Sequence, residues 1–275
     1  MPSESSLPQV RPYRVAYGCA YQQFGELYLP QQAGAQESSP LVILIHGGYW
    51  RARYDLSLMN ELAEDLAARG YAAWNIEYRR VGDPGGGWPG TLLDVAAAAD
   101  HVRAIAPEYH LDASRVVVIG HSAGGHLAFW LVARPRLPAD SPLAWSANAR
   151  VQLQPVAAIS QAGVLDLEMA WKLHLSNDAV VELLGKTLPE APERYAAASP
   201  AALLPLGVPQ VLLHGTNDDA VPIEIGRSYA AKARALQDPV EYIEMEGVDH
   251  LELIDPRSPA WDLAIRALER LLQPS

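Results

Sequence analysis

Cysteine is nearly missing from this chain. Cys19 stands alone among 275 residues, so no internal disulfide can form and no Cys-x-x-Cys pair can grip a metal; without a local motif the thiol reads as a small side chain with no role. The eight histidines lack His-Glu-x-x-His spacing, so no metal is expected, and no cofactor is implied. No apolar stretch reaches the ~18 residues that a membrane-spanning helix needs. Basic residues are scarce as well: 21 Lys and Arg stand against 32 Asp and Glu, a formal charge of −11. That balance repels a phosphate backbone and makes nucleic acid an unsuitable partner. Met1 to Ser6 carry neither a basic nor an apolar leader segment, and with a single thiol the expectation is cytoplasmic residence.

What remains is the composition of a globular protein, 49% hydrophobic and 19% charged, long enough to bury one large core. A single domain over residues 1–275 is expected, opening with a loose arm over 1–14. Gly25 to Leu29 reads as an edge strand, and the Pro-, Ser- and Gln-rich Gln31 to Pro40 as a loop. Leu41 to Ile45 is an unbroken branched run of the kind buried on both faces of a parallel sheet. Helical stretches at Leu56–Arg69, Thr91–Ile105 and Gly124–Ala133 then alternate with strands at Ala72–Tyr78 and Arg115–Ile119. Further strands are expected at Val156–Ser160, Val211–His214 and Val240–Met245, and a closing helix at Pro259–Leu272. Interleaving of this kind specifies an α/β fold, a mostly parallel sheet with helices on both faces. About residues 164–200, including a helical Asp178–Leu184, exceed what a connection needs and read as a small cap.

The chemical signal is Gly120-His121-Ser122-Ala123-Gly124. Small residues flank a serine between an apolar strand and a helix, the setting in which a sharp turn exposes the hydroxyl as a nucleophile. An attacking serine needs donors for the oxyanion that develops, and fixed backbone N–H groups supply them. The turn His46-Gly47-Gly48-Tyr49-Trp50, directly after a strand, fits that task through Gly48 and Tyr49, with the Ala123 N–H as a further donor; His46 reads as a turn-stabilising residue. A carboxylate is expected after a later strand, where Asp218 and Asp219 both qualify. His250, in the loop after the last strand, supplies the base and completes the order Ser, Asp, His. His101, His110, His121, His126, His174 and His214 have no comparable place. Trp50 and Trp88 are candidates to line an aromatic substrate pocket.

Together these motifs resemble the kynurenine formamidase and carboxylesterase branch of the α/β-hydrolases, whose oxyanion turn reads His-Gly-Gly-x-Trp. The likeness runs from about Tyr17 to the carboxyl terminus. It takes in Gly25 to Pro30, Gly120 to Gly125, Ser199-Pro200 and Asp249 to Ile254. It departs at Glu26, where relatives often have Asp, and over Val164 to Ala198. The resemblance implies that the first acid of the Asp-x-x-Val-Pro turn, Asp218, is the triad member. It also implies an α/β-hydrolase fold and makes an N-formyl arylamine one reasonable substrate; the residues themselves support acyl transfer from a small ester or amide to water. A prolyl-oligopeptidase-type peptidase would need an extra domain for which the chain has no room. Dehalogenase or epoxide hydrolase chemistry would need an acid in place of Ser122. A non-catalytic binding protein on the same fold is the reading of a different class, and the complete set of triad candidates argues against it.

Overall fold

A computed structural model describes residues 11–30, 38–144 and 152–273. Among these, eight strands form one sheet: β1 (Tyr13–Ala16), β2 (Phe24–Tyr28), β3 (Ser39–Ile45), β4 (Ala72–Ile76), β5 (Leu111–His121), β6 (Ala157–Gln161), β7 (Gln210–Gly215) and β8 (Val240–Met245). Their spatial order is β1-β2-β4-β3-β5-β6-β7-β8. The first two strands run antiparallel, and every pairing from β4 through β8 is parallel. The helices are α1 (Asn60–Ala68), α2 (Gly90–Tyr109), α3 (Ala123–Ala133), α4 (Leu167–Lys172), α5 (Leu175–Leu184), α6 (Pro192–Ala198), α7 (Pro200–Leu203), α8 (Ile223–Ala235) and α9 (Pro259–Leu271). No helix among the described residues is long and apolar enough to cross a membrane.

The apolar run of β3 explains the layering. Leu41, Ile43 and Ile45 enter one buried layer, with α2, α3 and α8; Val42 and Leu44 enter the other, with α1 and α9. Alternation by two with both faces covered leaves no place for a polar interruption. Helix α3 is buried along its whole length, because it lies in the thicker layer beneath α6 and α7. Two of its rings bond the backbone of α6: Trp130 Nε1 donates to Ala197 O at 3.1 Å and His126 Nε2 to Ala198 O at 2.9 Å.

Two expectations need correction. The strand at Gly25–Leu29 is not an edge: β2 is paired on both sides, and the edge is β1, whose Tyr13 and Arg14 lie opposite Leu27 and Glu26. Those two residues therefore belong to the sheet rather than to a loose arm; residues 1–10 of that arm lie outside the described residues. Likewise Ser39 and Pro40 begin β3, while 31–37 of the expected loop lie outside the description.

The region read as a cap carries four helices between β6 and β7. Asp166 caps α4 by accepting from Met169 N–H at 3.0 Å, and Ser199 Oγ accepts from Leu167 N–H at 3.1 Å. Pro200 opens α7 where its missing N–H costs nothing. At the start of α5, Ser176, Asn177 and Asp178 all take positive φ, so the turn there is left-handed.

Candidate active site

The chain runs from β3 outward to β4, then crosses back to β5 on the other side, so β3 and β5 end side by side where the winding of the sheet reverses. Loops at the carboxyl ends of such strands are where open α/β sheets bind ligands. Here these two loops are His46–Arg51 and Gly120–Gly124. After Gly120 and His121, Ser122 takes φ 56°, ψ −120° before α3 begins, a left-handed conformation that a non-glycine residue adopts only when its surroundings enforce it. Close packing does so. A Cβ at Gly124 would come within 2.0 Å of Ile45 O, and one at Gly120 within 2.1 Å of Gly124 O. The turn is pinned by Ser122 N–H to Gln161 O, 2.8 Å, and by Val164 N–H to Ser122 O, 3.3 Å. Among the described residues the Ser122 hydroxyl has no hydrogen-bond partner, although the residue is 98% buried, with 2% of its surface exposed.

Facing it, Gly48, Tyr49 and Trp50 all have positive φ, 107°, 53° and 59°. The loop is held from four directions. His46 Nδ1 bonds Gly47 O at 2.8 Å and its Nε2 lies 3.0 Å from Glu77 Oε1. Tyr49 Oη donates to Ala220 O at 2.6 Å, Trp50 Nε1 to His126 Nδ1 at 3.2 Å, and the Arg51 guanidinium to Ser176 and Glu182 of α5. Gly47 packs directly on the serine: a Cβ there would stand 2.9 Å from Ser122 Cβ. Among the described residues the N–H groups of Gly48, Tyr49 and Ala123 donate to no protein acceptor. They are left available in the His46–Arg51 and Gly120–Gly124 loops.

On the other side, Asp218 follows β7 and His250 follows β8. His250 Nδ1 lies 2.7 Å from Asp218 Oδ2, while Asp218 Oδ1 accepts from Ala220 N–H at 2.9 Å and Val221 N–H at 2.8 Å. The Asp218 side chain is fully buried and Asp219 is exposed. Burial alone would raise the Asp218 carboxyl, but hydrogen bonds from His214 and His250, the His250 charge and the Val221 N–H together hold it well below the usual carboxylate range. The His250 ring packs against His121, centroids 4.4 Å apart, and His121 Nε2 donates to His250 O at 2.9 Å. The residue next to the serine thus fixes the backbone of the histidine.

The two tryptophans separate. Trp50 is fully buried, with its indole spent on His126, so it belongs to the core and not to a pocket wall; a large aromatic ring in a glycine-rich loop is read as a pocket only until its packing is known. Trp88 is half-buried, its backbone N–H donates to Leu183 O at 2.7 Å, and the Arg194 guanidinium lies 5.6 Å from its ring. His121, His214 and Glu77 were not identified from the sequence. Each follows or ends an apolar strand segment, and that position at the carboxyl edge of the sheet is the signal that points to them.

A match to the BD-FAE family model spans residues 26–232, and so contains both loops, Ser122 and Asp218. The chain belongs to the BD-FAE family. The BD-FAE chain is 29% identical over 221 residues to the probable carboxylic ester hydrolase LipM of Mycobacterium tuberculosis, covering 78% of this chain and 49% of that one. It spans about half the length of the mycobacterial ester hydrolases it matches. It is 26% identical over 222 residues to the kynurenine formamidase avaC of Aspergillus versicolor, covering 69% and 74% of the two chains. Among solved structures, the butyrate-bound esterase Est2 of Thermogutta terrifontis is 26% identical, with a TM-score of 0.77 and 98% of each chain covered. The BD-FAE chain has the α/β-hydrolase fold.

Two outcomes follow from the packing of this BD-FAE chain. Trp50→Phe leaves the buried His126 Nδ1 without its donor and is expected to cost about 1–3 kcal/mol, read as a lower urea midpoint at unchanged slope. His126 and His121 are both buried and neutral. Burial lowers His126 from 6.5 to about 4, and burial, followed by the charge of His250, lowers His121 from 6.5 to about 3. A histidine depressed in the folded state contributes stability that is complete above its unfolded pKa and is lost as pH falls towards the folded one. Between pH 7 and pH 5 each contributes a loss of about 2 kcal/mol, roughly 4 together. Urea titrations at the two pH values measure it; His126→Gln should halve the loss, and an undiminished loss would contradict the assignment.

Proposed function

We propose that this chain is a serine hydrolase that cleaves small carboxylic esters through an acyl-enzyme. The observation that carries the reading is the alignment of three features on one edge of the sheet: a serine in a left-handed turn, free N–H groups opposite it, and a buried carboxylate bonded to a histidine beside it. In this mechanism Ser122 Oγ attacks the acyl carbon as His250 Nε2 takes the hydroxyl proton, the contact tightening when an acyl group fills the site. The N–H groups of Gly48, Tyr49 and Ala123 hold the oxyanion. Collapse of the tetrahedral intermediate expels the alcohol, protonated by His250. Water, deprotonated by His250, then attacks the acyl-serine and releases the acid. Asp218 keeps the imidazole in the tautomer with a bare Nε2 and stabilises its cation.

The similarity to ester hydrolases, and to a butyrate-bound esterase over nearly the whole chain, favours short acyl groups. Arylformamidase activity is the second reading, favoured by the similarity to avaC; the same groups would cleave a formyl C–N bond with His250 protonating the amine. The helices of residues 164–200 would then act as the cap, with Trp88 at its edge. We place the chain in the cytoplasm, a reducing compartment that fits the free thiol of Cys19, with a small ester as partner.

Steady-state rates on p-nitrophenyl acetate, p-nitrophenyl octanoate and N-formylkynurenine, with Ser122→Ala as control, test the proposal. Ser122-dependent turnover led by the acetate is the expected result. Turnover concentrated on N-formylkynurenine would replace the esterase reading with the formamidase one, and no Ser122-dependent turnover would overturn both.

A further inference from the structure

The Asp218 carboxylate has a neighbour that neither the triad nor the oxyanion loop accounts for. His214, at the end of β7 and buried, points Nε2 at two atoms: Val221 O at 2.9 Å and Asp218 Oδ2 at 3.3 Å. A carbonyl and an ionised carboxylate both accept, so Nε2 carries the proton and faces both. Space for the ring is provided on the far side by Gly226 of α8, where a Cβ would stand 3.0 Å from His214 Nδ1 and 3.2 Å from the Tyr242 ring. The titratable groups around it are Asp218 and His250, His121 of the elbow, and Tyr242 and Glu244 of β8, the last opposite His214 in the ladder.

We propose that His214 is a positioning residue, a second histidine that closes the Asp218–Val221 turn and keeps Oδ2 aimed at His250 Nδ1. The inference rests on the reading of Ser122, His250 and Asp218 as one catalytic unit. Oδ1 is fixed by two backbone N–H groups from the same turn, so rotation of the carboxylate is governed by whatever holds that turn. Among the described residues two side chains do so: Tyr49 at Ala220 O, and His214 at Val221 O. His214 is the one that also reaches the carboxylate. Without it the turn loses its inner bond, Oδ2 loses a donor, and His250 is held less firmly in the orientation that accepts the serine proton.

His214→Phe keeps a planar ring and removes the donor; His214→Gln restores an N–H at similar reach. On p-nitrophenyl acetate, His214→Phe is expected to lower kcat about 10- to 100-fold, the scale of a small misplacement of a catalytic group, with KM within twofold and the acidic limb of the rate profile displaced. His214→Gln should recover most of kcat. In parallel, the proton between His250 Nδ1 and Asp218, followed by low-field NMR in wild type and both variants, should shift or broaden in His214→Phe and return towards its wild-type position in His214→Gln. The NMR needs no turnover, so it decides the role of His214 even where wild type shows no Ser122-dependent hydrolysis, a result that counts against the proposed function instead. If His214→Phe does not fold, nitrogen-edited NMR of wild type gives the answer: Nε2 protonated and Nδ1 bare supports the proposal. A bare Nε2, or a bridging proton and kcat unchanged in His214→Phe, overturns it.

Discussion

Ser122→Ala is expected to lower kcat on p-nitrophenyl acetate by roughly 10^5- to 10^6-fold, the scale found when a serine nucleophile is deleted, with KM nearly unchanged. The substitution removes one oxygen that makes no hydrogen bond among the described residues, so the turn and its stability should survive. Its left-handed backbone is enforced by Gly120, Gly124 and the bonds to Gln161 and Val164, none of which needs the hydroxyl. What should remain in the variant is the proposed oxyanion site of Gly48, Tyr49 and Ala123, which would still polarise a bound carbonyl towards attack by water. Because the groups act together, Ser122→Ala combined with His250→Ala should cost little more than either alone. Additive losses would mean that the two residues serve separate steps. Matched circular dichroism spectra and urea midpoints establish that the loss is chemical.

The second large effect is at Asp218. Asp218→Asn should reduce kcat/KM about 10^4-fold, and the hydrogen bonds show why an isosteric amide cannot substitute. The Ala220 and Val221 N–H groups require an acceptor at the Oδ1 position, which places the amide NH2 at the Oδ2 position. There it meets His250 Nδ1 and the His214 Nε2–H. To accept from the NH2, His250 must move its proton to Nε2, the nitrogen that should take the proton of Ser122. Reversing the amide instead sets NH2 against two backbone donors. Asp219→Asn is the control, since Asp219 is exposed; it should stay within about threefold of wild type. Comparable losses at the two positions would show that the carboxylates have been assigned wrongly.

How far the sequence alone reached depended on how each element is buried. Strand β3, the Val116–Ile119 part of β5 and helix α3 were legible because burial on all sides leaves an apolar run; β5 starts earlier than the sequence indicates, at Leu111, because Asp112 to Arg115 are partly or fully exposed and carry no such run. The strand β1 was not. It is short and mostly exposed, so its four residues carry no alternation, and the sequence alone makes β2 the edge that β1 in fact forms. In the region of residues 164–200 only α5 left a helical pattern, because α4, α6 and α7 are four to seven residues long and are specified by caps and prolines rather than periodicity. At the site, motif order pointed to Asp218 and His250, whose side chains are hydrogen-bonded. Pairwise geometry was beyond it: the burial of Trp50, the tie from His121 to the His250 carbonyl and the approach of His214 to Asp218 each join segments distant in sequence, or turn on which way one ring faces.

Whether Ser122 is a nucleophile activated by its surroundings is read directly by covalent labelling with a fluorophosphonate ester followed by intact-mass and peptide mass spectrometry. One adduct per chain is expected, on the peptide containing Ser122, absent from Ser122→Ala and much slower to form in Asp218→Asn. An unlabelled wild-type chain, or an adduct that persists in Ser122→Ala, would contradict it.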